Sequence, residues 1–260
     1  MTASSIVDIG AGTGQFLYGV VPADVEVTPQ ARGLGDPLGP VTTIRQGDVA
    51  ALVSETPLDV RLGRPEDLVA YRDLLDGVAV TAEVPVLPVR FGTVLPSAAA
   101  VTELLGLRHD EYRAALAELD GRVEYVVRAR YVERTLLAGV LADEPEAADL
   151  RDRLRGRPAD ADVDLRIRLG EIVARAVEAR RAADTERLAE ALTPYCLAEA
   201  PLPPQHEQDA ARVAFLLERR RGADFTDAVR DLAEAWRDWA TVRTIGPTAP
   251  WDFVPSGPGR

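Results

Sequence analysis

A chain of 260 residues with 47% hydrophobic and 28% charged residues can bury a sizeable core in one large domain or two small ones, which excludes a mainly disordered protein. All 30 basic residues are arginine, and a formal charge of -12 excludes the electrostatic footprint of a general nucleic-acid or anionic-membrane binder. The single cysteine, Cys196, allows neither an internal disulfide nor a multi-cysteine metal cage. No apolar run approaches the ~18 residues of a bilayer span, and no basic, apolar and cleavable leader opens the chain, so the expectation is a cytoplasmic protein without membrane insertion.

The first element raises a functional question, because Gly10, Gly12 and Gly14 stand in G-x-G-x-G spacing after an apolar run. In S-adenosylmethionine-dependent methyltransferases such glycines let the backbone approach the cofactor. That use needs a helix directly after them, whose free N–H groups and dipole help hold the ligand. Here Gln15 to Val21 is aromatic and β-branched and is halted by Pro22, which reads as a strand. The stretch from Val25 to Pro40, rich in Gly, Pro and Asp, then breaks any regular βαβ alternation. The expectation is a flexible leader over residues 1–14 and no bound cofactor, with a methyltransferase using the Gly10–Gly14 loop as the alternative.

Val41–Arg45 and Val49–Val53 read as a hairpin around Gln46-Gly47-Asp48. Pro65 suits a first helical position, Leu68, Tyr71 and Leu75 share a face, and Gly77 suits the C-terminal cap. Val84 to Ser97 is strand-like but carries Pro85, Pro88 and Pro96, which places it at a sheet edge or bulge. Two readings stand for Arg90 within it: pairing to an internal carboxylate or carbonyl, or contact with a partner. Ser97 caps a helix with Val101, Leu104 and Leu105, and Tyr112, Leu116 and Leu119 carry a second helix to Gly121. His109-Asp110-Glu111 at their junction reads as solvated capping chemistry; as a metal site it would have no histidine companion except His206.

From Gly121 the order is cleaner. Val123, Tyr125, Val127, Ala129 and Tyr131 alternate with Glu124, Arg128 and Arg130 in the period of a half-buried strand. Helical sequence follows, broken at Glu144-Pro145 and at Gly156-Arg157-Pro158, and a long helix covers Val163 to Leu192 with Leu165, Leu169, Ile172, Ala176 and Val177 in one stripe. Its second half is rich in Arg, Ala and Glu, which suits either a projecting arm or a solvated helix along the sheet. Tyr195–Glu199 and Ala211–Leu217 read as strands, Asp224 as the cap of a helix with Phe225, Val229, Leu232 and Trp236 on one face, and Thr241–Ile245 as the last strand. The order β-α-β-β-α-β is the split βαβ, or ferredoxin-like, plan.

Catalytic groups are sparse. Cys196 reads as part of an apolar strand, neither histidine has a recognisable companion, and Asp149, Asp152, Asp160, Asp162 and Asp164 read as a solvated acidic loop and helix start. Five segments, FLYGVVPAD (Phe16–Asp24), VLPVRFGTVLPS (Val86–Ser97), GRVEYVVRARY (Gly121–Tyr131), VAFLLERRRGADF (Val213–Phe225) and GPTAPWDFV (Gly246–Val254), resemble in order the gas vesicle proteins of the F/L family. The tail departs from the usual family spelling while keeping its aromatic and proline character.

The resemblance implies a non-enzymatic accessory or minor structural protein of gas vesicle assembly, with the major shell protein and other accessory proteins as partners and no cofactor or metal. Together the readings predict an α+β protein: an N-terminal domain over 15–120, a ferredoxin-like domain with a long helical insertion over 121–245, and a tail over 246–260. Trp251, Phe253 and Val254 are too apolar to be left in water, so the tail is expected to pack back onto the body. Arg90, Phe91, Trp251 and Phe253 are the candidate partner-binding residues.

Overall fold

In the computed structural model, which describes residues 12–26, 40–58, 63–158 and 161–254, the first described element is a strand. β1 (Thr13–Pro22) already includes Gly14. The hairpin of β2 (Thr42–Gln46) and β3 (Val49–Pro57) turns at Gly47, whose φ of 60° suits glycine. β3 pairs antiparallel with β1 from Thr13↔Pro57 to Pro22↔Val49. A strand and no helix follows Gly12 and Gly14, so the helix start that the methyltransferase alternative needs is not among the described residues. Close packing accounts for Gly14 instead, since a Cβ there would lie 2.7 Å from the Leu58 side chain and from the Leu95 carbonyl oxygen. Gly10 and the rest of residues 1–11 lie outside the described residues.

α1 (Pro65–Asp76) buries Tyr71 and Leu75 but leaves Leu68 46% exposed. Gly77 is the C-cap of α1, as expected, but in the right-handed conformation, φ -60°, with its N–H on the Asp73 and Leu74 carbonyls. The chain continues as a π-helical turn, Gly77–Thr81, and the left-handed residue after it is Glu83, φ 57°. The proline-bearing segment gives only two short bridges, β4 (Leu87–Pro88) and β5 (Val94–Leu95), both antiparallel to β1. The sheet order is β2-β3-β1-β4, with β5 also on β1, so this segment does form the edge. Between the bridges lies a turn that contains Arg90 and Phe91, so the strand-like stretch expected over Val84–Ser97 is not continuous. Proline cannot donate to the ladder, and that breaks the strand. α2 (Ala98–Leu107) starts at Ser97, whose hydroxyl accepts from the Ala100 N–H at 3.2 Å, and α3 (His109–Leu119) follows.

β6 (Arg122–Tyr131), β7 (Ala198–Pro201), β8 (Asp209–Glu218) and β9 (Ala240–Thr248) form a second sheet in the order β7-β8-β6-β9. β8 thus lies between β7 and β6, as the split βαβ plan requires. Because β6 is central, Glu124 and Val126 are buried along with the apolar alternates, so the strand is not half-exposed along its whole length. α4 (Glu133–Asp143) and α5 (Pro145–Leu154) precede α6 (Val163–Leu192), and α7 (Gly222–Trp236) joins β8 to β9.

The second half of α6 is not an arm: Leu188, Ala189 and Leu192 are buried, and the helix packs on β8. Its first half packs through Leu165, Leu169 and Ile172 against Ala147 and Leu150 of α5. The apolar content of the second half is small but concentrated on one face. Two local expectations shift. Thr193–Tyr195 is a 3-10 turn, so Tyr195 and Cys196 precede β7, and α7 begins at Gly222, which puts Asp224 in its first turn rather than at the cap. By contacts the chain forms two units, Met1–Val123 with Pro247–Arg260, and Glu124–Gly246.

Candidate functional site

The broken edge of the first sheet leaves a groove of 760 Å³ whose lining residues come from β1, α1, the β4–β5 segment, α2, α3 and the tail. Its origin lies in β1. The register slips between Leu17 and Gly19, so Tyr18 is the extra residue of a bulge. The carbonyl of Tyr18 accepts the Val89 N–H at 3.0 Å and the Tyr71 hydroxyl at 3.1 Å, while its own hydroxyl shares a 2.8 Å hydrogen bond with Ser54. Tyr71 also donates to the Val89 carbonyl. Burial pushes the Tyr71 phenol well above its ordinary pKa against the opposing pull of Arg72, so it stays protonated as this donor.

Around Tyr71 the aromatic rings interlock. Phe91 meets it edge-on at 5.3 Å between centroids and meets Phe16 at 5.9 Å, and Trp251 tilts against it at 5.5 Å. The tail is fastened by Asp76, whose Oδ1 accepts from the Ala249 N–H at 2.8 Å and the Trp251 indole N–H at 3.0 Å. Arg72 covers the outer face of the Trp251 ring at 4.9 Å. On the α2–α3 side, Arg108 is bound to Glu111, with Nε to Oε2 at 2.7 Å, and lies 5.1 Å over Tyr112. The Glu111 hydrogen bond raises the pKa of Arg108, and the same contact lowers that of Glu111.

Three of the four residues singled out from sequence, Arg90, Phe91 and Trp251, therefore line one groove. Arg90 is exposed, and its carbonyl accepts the Thr93 hydroxyl at 2.7 Å. Phe253 is partly buried beside the groove, and its N–H reaches the Pro250 carbonyl at 3.3 Å. Sequence reasoning missed Asp76, Arg72, Arg108 and Tyr112. The four-residue step from Arg108 to Tyr112 was a readable signal. Nothing in the sequence tied Asp76 to a tail 173 residues away.

The other candidates carry no comparable geometry. His109 Nε2 accepts the Asp48 N–H at 3.2 Å and so latches the β2–β3 turn to α3. Among the described residues no cluster of His, Cys, Asp and Glu could hold a metal. Cys196 lies in a turn, and burial followed by Glu199 pushes its thiol up, away from an activated nucleophile. Asp149, Asp152 and Asp162 pair with Arg153, with Arg151 and Arg155, and with Arg157, while Asp160 lies outside the described residues. No helix among the described residues is long and apolar enough to cross a membrane.

Comparison with known proteins places this architecture. The family described as gas vesicle synthesis protein GvpL/GvpF matches residues 14–255. Gas vesicle protein F of Streptomyces sp. (strain CB03234) is 35% identical over 240 residues, covering 92% of this chain and 98% of that protein. Gas vesicle protein L of the same strain is 31% identical over 257 residues, 92% of each. The crystal structure of the gas vesicle protein GvpF from Anabaena sp. PCC7120 superposes with a TM-score of 0.74 at 21% identity, over 95% of this chain and 100% of that one. That of GvpF from Microcystis aeruginosa gives 0.75 at 20% identity, over 94% and 99%. The α+β fold is thus shared with GvpF, and the chain belongs to the gas vesicle synthesis protein GvpL/GvpF family.

Proposed function

We propose that the protein acts in gas vesicle assembly as a non-enzymatic cytoplasmic factor that binds the major shell protein, with Arg90, Phe91, Trp251 and Phe253 at the contact. Family membership supports the gas vesicle role. The observation that carries the binding role is the groove: an apolar, aromatic-walled opening of 760 Å³ that three of these four residues line. A buried aromatic cluster beside arginines is the composition of strong protein-binding sites.

Co-purification of the full chain with the other gas vesicle proteins in mild salt tests this. Recovery of the major shell protein is the expected result, and failure to recover any gas vesicle protein sinks it. Titration with S-adenosylmethionine is the control for the methyltransferase alternative, and no saturable binding is expected.

A further inference from the structure

The groove also carries information about what enters it. Its floor is closed to strand addition, because β1 is bonded to β3 on one edge and to β4, β5, Thr93 and Val89 on the other. The outer bridges β4 and β5 are two residues each, and one contains Pro88, so they offer no ladder to extend. An occupant of this apolar space must then satisfy its own backbone groups, as a helix does. Leu68, 46% exposed at the lip, extends the apolar surface beyond the cavity, which suits a macromolecular segment better than an enclosed small molecule.

The charge of the rim supplies the second constraint. The chain as a whole is at -12, yet the ionisable residues lining the groove, tyrosines aside, are Arg72, Arg90, Arg108 and Glu111, with Glu111 engaged by Arg108. A local basic rim on an acidic molecule selects carboxylates and repels basic segments, because arginine forks hold a carboxylate in a fixed direction.

We propose that the groove takes an amphipathic helix of a partner protein, with apolar side chains at i, i+3 and i+4 facing β1 and Tyr71 and with carboxylates flanking that stripe toward Arg72 and Arg90. This rests on the assembly reading above, with the helix belonging to a gas vesicle protein.

The test uses overlapping peptides of the major shell protein, immobilised and probed with the full chain, alongside capture of the intact shell protein. Peptides with an apolar helical stripe and adjacent Asp or Glu should bind. The exposed-site variants Leu68→Asp and Arg90→Glu should each weaken binding about tenfold or more, Leu68→Asp without a shift in melting temperature. Arg72→Glu should do the same, but it also removes the cover on Trp251, so Leu68→Asp and Arg90→Glu decide. If the intact shell protein is captured while both variants bind as well as the parent, the groove inference is overturned and the assembly reading stands. Selection of basic peptides, or binding of decanoate with no peptide binding, overturns the helix inference as well. If the parent captures no gas vesicle protein, the assembly reading itself has failed.

Discussion

Around the groove of the N-terminal unit, polar groups are buried as neutral hydroxyls on an aromatic core, Tyr18 with Ser54 and Tyr71 with two carbonyls. In the C-terminal unit the sheet and the helix packed on it instead bury carboxylates. Asp209 accepts Arg128 Nε at 2.7 Å and the N–H groups of Gln205 and His206 at 2.8 and 3.0 Å, and Asp184 takes the Tyr131 hydroxyl at 2.9 Å. A buried charge is tolerable only where donors surround it, and β8, β6 and the turn before β8 supply that enclosure. At the groove the buried polar groups around Tyr71 are neutral instead, the arginines stand at the rim, and the carboxylate that holds the tail, Asp76, is likewise met by two N–H donors. The difference separates a unit with an open apolar groove from one whose sheet encloses a buried carboxylate.

The strongest way to break this contrast is at the aromatic core. Phe16→Ala removes a fully buried ring that touches Tyr18, Tyr71 and Phe91 and is expected to cost about 4 kcal/mol in a urea titration. A loss under about 1 kcal/mol would mean the ring cluster is not what holds this unit.

Asp209→Ala should follow, at about 3 kcal/mol, because Arg128 is left without its buried partner. Burial alone would raise the Asp209 pKa, but Arg128 and the two backbone donors overcome it and leave it depressed. A carboxyl with a depressed folded pKa contributes stability that is present above its ordinary range near ~3.9 and lost as the pH falls through the lower folded value. Melts of the parent should therefore fall more steeply below about pH 4 than those of Asp209→Asn. Parallel curves would remove the ion pair from the account.

Asp76→Ala sharpens the role of the tail. It orphans the Ala249 and Trp251 N–H groups, should cost about 2 kcal/mol, and should speed proteolysis after Gly246. Unchanged cleavage would show that ring packing suffices. Arg153→Ala, which breaks an exposed pair with Asp149, should change stability by no more than about 0.5 kcal/mol, and it calibrates the series.

Elements whose signal is periodic were legible without coordinates. α6 runs from Val163 to Leu192 as the stripe and flanking breakers indicate, and the β-α-β-β-α-β order of the C-terminal unit follows from alternation and helical spacing. The strand character of Gln15–Val21 was equally local, since β-branched and aromatic residues before a proline exclude a phosphate-type helix start. These readings depend on neighbours in sequence, where side-chain shape and backbone preference act directly.

The groove was only half visible. Arg90, Phe91 and Trp251 could be named, but the broken strand around Arg90, the Tyr18 bulge and the Asp76 clasp depend on residues far apart in the chain. Composition and order fixed the α+β class and the acidic charge; pairing register, the burial of Glu124 and the meeting of Tyr71 with Trp251 were decided by tertiary structure, because long-range packing and hydrogen bonding choose among partners that local sequence leaves equivalent.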